Sequence, residues 1–292
     1  MFKLLRVHQW VKNLFIFLPI FFSKHITEIE YIIPSIFVFM AFCFISSSIY
    51  CFNDIYDVDS DRKHPIKCKR PIAAGKVSIR TAYIIMFALV ILSSSITVLV
   101  FYKDVSIAIR TISIILFYFF MNIAYCIKLK HIAIIDTFII ATGFVLRVVI
   151  GGVATNIWIS HWIILMTFLL ALFLAFAKRR DDVVIYKDTG IKIRNNINRY
   201  NIEFMNQAIS IIAAIIIVSY IMYTVSTDVI ERFNSSYLYV TTIWVLLGVL
   251  RYLQITIVDV KSGSPTKVLA KDRFIQVSIL GWIITFLFII YF

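Results

Sequence analysis

Four carboxylates crowd the stretch Asn53-Asp54-Ile55-Tyr56-Asp57-Val58-Asp59-Ser60-Asp61, where the apolar run 32–52 gives way to a basic segment. Acids at a membrane edge are costly unless something positive binds them. On a helix Asp54, Asp57 and Asp61 stand at i, i+3 and i+7 and share one face, while Asp59 points away from it. A hard divalent cation such as Mg²⁺, with an anionic substrate behind it, is the natural partner of three such carboxylates.

Base follows acid. Arg62, Lys67, Lys69 and Arg70 could take the rest of a phosphorylated ligand whose other part is held by the metal. Pro71 and Gly75 punctuate this segment and predict a fixed loop rather than a tether. Further on, Tyr125, Lys128, Lys130 and Asp136 lie near another span end. Lys130 or Lys128 is an anion ligand or a membrane-end lysine reaching for the headgroups. Asp136 is one turn into an apolar span, with a substrate-side role or a structural ion pair open to it. Lys178, Arg179 and Arg180 are expected to end a span, where the helix dipole also favours cations. Arg147 lies deep in an apolar segment about 16 Å along its helix from Asp136, so the two cannot pair. It calls for an acidic or carbonyl partner inside the bundle, and structural pairing is favoured over catalysis. Tyr118 and Asn122 are lesser candidates for lining a cavity. The five histidines are scattered, and no zinc spacing, serine nucleophile, P-loop or dinucleotide fingerprint stands out.

The elements that must position these groups are membrane spans. Hydrophobic residues make up 61% of the 292-residue chain and mean hydropathy is +0.91, far from a soluble domain. Nine spans are predicted, near 13–26, 32–53, 79–101, 105–126, 132–153, 158–177, 205–227, 236–257 and 274–292. The fold class is therefore all-α, one polytopic membrane domain over 1–292. Lysines and arginines gather on alternate connections, leaving only Lys24, Lys103, Arg110 and Arg232 on the other side. That asymmetry puts the N-terminus and the Asp-rich motif in the cytoplasm, the C-terminus outside, and the protein in the cell (inner) membrane. It also accounts for the net charge of +13 without a nucleic-acid partner. Lys3, Arg6 and Lys12 precede an apolar run, but no small-residue cleavage site follows, so this start is expected to be retained. Cys43, Cys51, Cys68 and Cys126 lack metal or redox spacing and are expected to be reduced.

The N-D-x-x-D-x-x-x-D stretch, followed by Arg70-Pro71-Ile72-Ala73-Ala74-Gly75, resembles the UbiA superfamily of intramembrane prenyltransferases. The resemblance implies about nine helices around a cytoplasm-facing cavity, with the motif, Asn53 included, binding Mg²⁺ and a diphosphate. A second acidic motif is expected after the sixth span, yet here that place reads Lys178-Arg179-Arg180-Asp181-Asp182. Arg6 to Asn13, Leu129-Lys130-His131 with Asp136, Gly143 to Arg147, Arg251-Tyr252, and Ser264-Pro265 with Asp272-Arg273 extend a likeness to the polyprenyl-phosphate phosphoribosyltransferase branch. That branch implies phosphoribosyl diphosphate (PRPP) as donor and a polyprenyl phosphate as acceptor. PRPP has anionic groups at two ends, which suits one acidic metal site and a separate cationic one. The alternatives are transfer from a prenyl diphosphate to an aromatic or other acceptor, and, less favoured, a transporter or lipid-binding protein. Oligomeric state, polyprenyl length and product fate are not legible.

Overall fold

The computed structural model describes residues 2–63, 67–190 and 196–291. Among them, eight helices are long and apolar enough to cross a membrane. They are α1 (Ile29–Tyr56), α2 (Ile79–Val100), α3 (Val105–Ile127), α4 (Ile135–Thr155), α5 (His161–Thr189), α6 (Ile202–Val225), α7 (Thr242–Ile257, entered through the 3-10 turn Tyr237–Thr241) and α8 (Arg273–Tyr291). Several start at side-chain caps. Ser78 accepts from the Thr81 amide, Asp104 from Ile107 and Asn201 from Phe204, each satisfying an otherwise orphaned N–H.

Three boundaries differ from expectation, each for a physical reason. The first of the nine predicted spans is a 3-10 helix, Val7–Phe17, followed by the short α-helix Leu18–Phe22. Pro19 sits at the start of that short helix, where its missing N–H costs nothing. α1 extends past 53, so Asp54 lies inside it, and Asp57 is its C-cap before the short helix Val58–Arg62. α5 runs to Thr189, so Lys178–Asp182 are mid-helix and gain nothing from a C-terminal dipole.

The chain divides into two compact units. The first comprises Met1–Lys130 and Thr142–Ile164; the second, His131–Ala141 and Leu165–Phe292. In the first, α1 packs against α2, α3 and the 3-10 segment. Its interior is built from Ile16, Val38, Phe42, Ile45, Ile115 and Ile150. A second cluster holds Leu4, Cys51, Ile55, Val58, Ile72 and Met86. In the second unit α7 packs against α6 and α8, with Phe173, Ile209, Ile216, Tyr252 and Phe286 buried. Among the described residues none of the four cysteines is in a disulfide.

Candidate functional site: an acidic helix end and a charged mid-helix cluster

The loop after the Asp-rich stretch is folded. Ile72 plugs into the cluster of Leu4, Cys51, Ile55 and Val58. The amides of Ala74, Gly75 and Lys76 close turns onto the carbonyls of Arg70, Ile72 and Pro71. Gly75 sits at φ +71°, a left-handed conformation that glycine adopts without strain. Anchoring Ile72 fixes Arg70 two residues earlier. Arg70 Nη1 donates to Asp61 Oδ2 at 2.6 Å and lies 3.2 Å from Asp54 Oδ1. The two carboxylates thus converge on one nitrogen despite the break at Asp57.

Two other cations complete the arrangement. Arg6 Nη2 bonds Asp54 Oδ1 at 2.5 Å and its guanidinium rests over the Tyr50 ring. Lys130 Nζ bonds Asp57 Oδ1 at 2.6 Å and lies over the Tyr56 ring. Between the two candidate lysines, Lys130 is the one brought to the carboxylates, while Lys128 is exposed. Asn53 Oδ1 accepts from the Cys126 thiol; Tyr125 and Lys67 are half-buried. Arg62 is exposed and pairs with the exposed Asp59 at 3.6 Å, not with the buried Asp54 and Asp61. The expectation that Asp59 stands apart holds.

Asp54 and Asp61 are 1% and 2% exposed, and Asp54 Oδ2 has no hydrogen-bond partner among the described residues. An acceptor-only oxygen left bare in a buried site is a position a cation would fill. Among the described residues no three His, Cys, Asp or Glu side chains form a ready-made metal cage. The bare Asp54 oxygen and the neighbouring Asp61 are carboxylate donors of the kind a divalent ion takes when it completes its sphere from phosphate and water.

The second charged cluster, in the second unit, is bound up with the protein itself. Arg179 Nε donates to Asp136 Oδ2 at 2.6 Å, both side chains essentially unexposed. The Tyr200 hydroxyl donates to Asp136 Oδ1 and accepts from the Ile134 amide. Burial pushes the Tyr200 phenol up to about 12, so it stays a donor. Asp136 thus has the structural ion pair that was one of its two readings. Arg180 donates to the Thr256 and Ile257 carbonyls at the end of α7 and to Asn206. Asp181 accepts from Ser262 at 2.9 Å. Arg179 Nη1 and Nη2 have no hydrogen-bond partner among the described residues, and Nη1 forms an ion pair with Asp182 at 3.7 Å. Lys178 is half-buried beside them.

The UbiA prenyltransferase family matches residues 16–290. The chain belongs to that family. Within it, two proteins named decaprenyl-phosphate phosphoribosyltransferase align along nearly the whole chain. The Mycolicibacterium smegmatis protein is 33% identical, over 99% of this chain and 92% of its own length. The Corynebacterium glutamicum protein is 31% identical, over 100% and 86%. Among solved structures, a UbiA homolog from Archaeoglobus fulgidus bound to GPP and Mg²⁺ superposes with a TM-score of 0.69 at 19% identity, covering 100% of this chain and 99% of that one. That likeness establishes the UbiA fold. The chain is a multi-pass UbiA membrane protein.

One residue of the acidic cluster is absent from the sequence-derived candidates. Arg6 bonds an acid 48 positions away, a proximity created by the N-terminal segment folding back along α1. The available signal was an arginine one turn ahead of Trp10, at the start of the Arg6 to Asn13 stretch that carries part of the family resemblance.

Proposed function

We propose that the protein transfers 5-phosphoribose from PRPP to a polyprenyl phosphate, releasing pyrophosphate, in an Mg²⁺-dependent reaction. The observation that carries this reading is the near-full-length likeness to decaprenyl-phosphate phosphoribosyltransferases at 33% and 31% identity. The acidic end of α1 is chemically suited to it. Asp54 and Asp61, with Asp57, would hold the ion, and a bound Mg²⁺ would neutralise charge building on the diphosphate. Arg6, Arg70 and Lys130, now spent on those carboxylates, become available to phosphate oxygens once the acids take a metal. The ribose C1–O bond to the diphosphate breaks and a bond from C1 to a lipid phosphate oxygen forms. The acceptor is already an anion at neutral pH, so no general base is needed. Asn53, Tyr125, Lys67 and Arg62 belong to the periphery of this site.

In the second unit, Arg179 offers the chemistry that suits a bare phosphate, namely two buried Nη groups with open donor capacity. We assign Arg180 and Asp136 to holding the fold and keep Lys178 as a cationic neighbour of Arg179. The family match spans residues of both units, which supports one catalytic domain over 1–292. Counting Val7–Phe22 as the first of nine spans, the charge asymmetry supports a cytoplasmic N-terminus and site in the cell membrane.

Purified protein in lipid, given labelled PRPP, Mg²⁺ and polyprenyl phosphate, should yield a labelled lipid and pyrophosphate. Turnover of a prenyl diphosphate instead, with no labelled lipid from PRPP, would replace this reading with ordinary prenyl transfer.

A further inference from the structure

Arg147 is buried in α4, 6% exposed, and has no carboxylate partner among the described residues. Its charge is met by neutral groups. Nε donates to Asn13 Oδ1 at 2.8 Å, Nη1 to the Gly143 carbonyl at 2.6 Å and Nη2 to the Tyr118 hydroxyl at 2.9 Å. The rings of Phe42, Tyr118 and Phe144 surround the guanidinium at 5.1–5.2 Å. Asn13 turns its amide nitrogen to the Cys43 sulfur at 3.1 Å, so its oxygen is committed to Arg147.

Asn13 belongs to the 3-10 segment Val7–Phe17, eleven residues long. Runs beyond three or four residues are uncommon because 3-10 hydrogen bonds are poorly aligned. This segment is therefore placed by its contacts with neighbouring helices more than by its own backbone hydrogen bonds. It has three pins. Asn13 meets Arg147. Trp10 Nε1 donates to Ser47 Oγ, which itself donates to the Leu5 carbonyl. Gly151 of α4 lies so close to the Ile16 backbone that a Cβ there would collide with it. At the segment's other end Arg6, in a left-handed conformation at φ 49°, reaches Asp54. A non-glycine residue holds that conformation only when its surroundings impose it.

We propose that Arg147 is a positioning residue: through Asn13 it anchors the N-terminal 3-10 segment as a strap along α1, and the strap delivers Arg6 to the acidic site. The idea rests on the proposed function only in treating that site as the diphosphate site. It explains why an uncompensated cation is kept inside the membrane-spanning bundle, where an apolar residue would cost less. A buried polar group that fixes one arrangement of a poorly self-supporting element is repaid in specificity.

The test combines two readouts on the full-length protein in lipid nanodiscs. Hydrogen exchange across residues 7–17 needs no substrate; Asn13→Ala and Arg147→Met should each speed it about tenfold, leaving α6–α8 unchanged. Magnesium pyrophosphate is the binding probe. Asn13→Ala should weaken its binding about tenfold in the wild-type background and have no further effect with Arg6→Gln, because coupled positions are not additive. Arg147→Lys, which retains charge but loses the fork geometry, should fall between. Unchanged exchange in 7–17, or additive losses with Arg6→Gln, overturns the proposal. Failure of PRPP transfer alongside a non-additive pyrophosphate cycle would remove the donor assignment and leave the strap standing.

Discussion

Two charged clusters, one at the end of α1 and one in the middle of α5, look alike in sequence and behave differently in structure. At the end of α1 the acids meet side-chain cations, which in the proposed function give way to a metal and a phosphate, and Asp54 retains an oxygen without a partner among the described residues. In α5 the charges meet main-chain carbonyls, a serine and a fully buried aspartate. In the proposed function the first set exchanges partners, while the second, the open Nη groups of Arg179 apart, ties segments of the second unit together. What a charge is bonded to, more than how many charges stand together, separates a site from a brace.

The comparison can be broken most forcefully at the acids. Asp54→Asn and Asp61→Asn should each lower Mg²⁺-dependent transfer by about a thousandfold or more, with membrane insertion and thermal unfolding near wild type. Next comes the brace. Arg179→Met strands Asp136 as an uncompensated buried charge and should cost about 3–5 kcal/mol of stability, measured by unfolding in detergent. The double variant Arg179→Met/Asp136→Leu should recover most of that loss, as apolar replacements of buried pairs do. Arg180→Met leaves the Thr256 and Ile257 carbonyls short of a donor and should cost about 1–3 kcal/mol, with the donor KM unchanged in the folded fraction.

Finer effects sharpen the contrast. Lys130→Met should raise the donor KM about tenfold, the loss of one charge-assisted contact, and Lys128→Met should leave it within about twofold. The smallest effect is expected at the start of α8. There Asp272 accepts from the Ile275 amide and from Arg251, and that Arg251 hydrogen bond holds its carboxyl below the usual carboxylate range. Its contribution is therefore present above the unfolded pKa and lost as pH falls through the lower folded value. Asp272→Ala should cost about 1 kcal/mol near neutrality and flatten the acid limb of the stability profile.

The acids of α1 and the R-P-I-A-A-G loop were legible because spacing and turn chemistry are local. Asp54, Asp57 and Asp61 lie within eight consecutive residues, and Pro71 and Gly75 announce a fixed turn. The brace was not legible, because Arg179–Asp136 and Arg180–Thr256 join residues 43 and 76 positions apart. Nor did composition reveal that α5 continues to Thr189, since buried pairing lets charged residues remain in a helix that hydropathy would end. Arg147 was expected to find an acidic or carbonyl partner; it found a carbonyl, an amide and a phenol. The strap escaped notice because its long 3-10 form and its contact with Asp54 both depend on packing against α1 and α4.

The most direct test of the exchangeable acidic site is an Mg²⁺ titration of labelled-PRPP transfer in nanodiscs, comparing wild type with Asp61→Asn. The account predicts saturable Mg²⁺ dependence in the wild type and transfer about a thousandfold or more lower at every Mg²⁺ concentration in the variant, with unchanged unfolding. Transfer by Asp61→Asn at the wild-type rate and Mg²⁺ midpoint would contradict it.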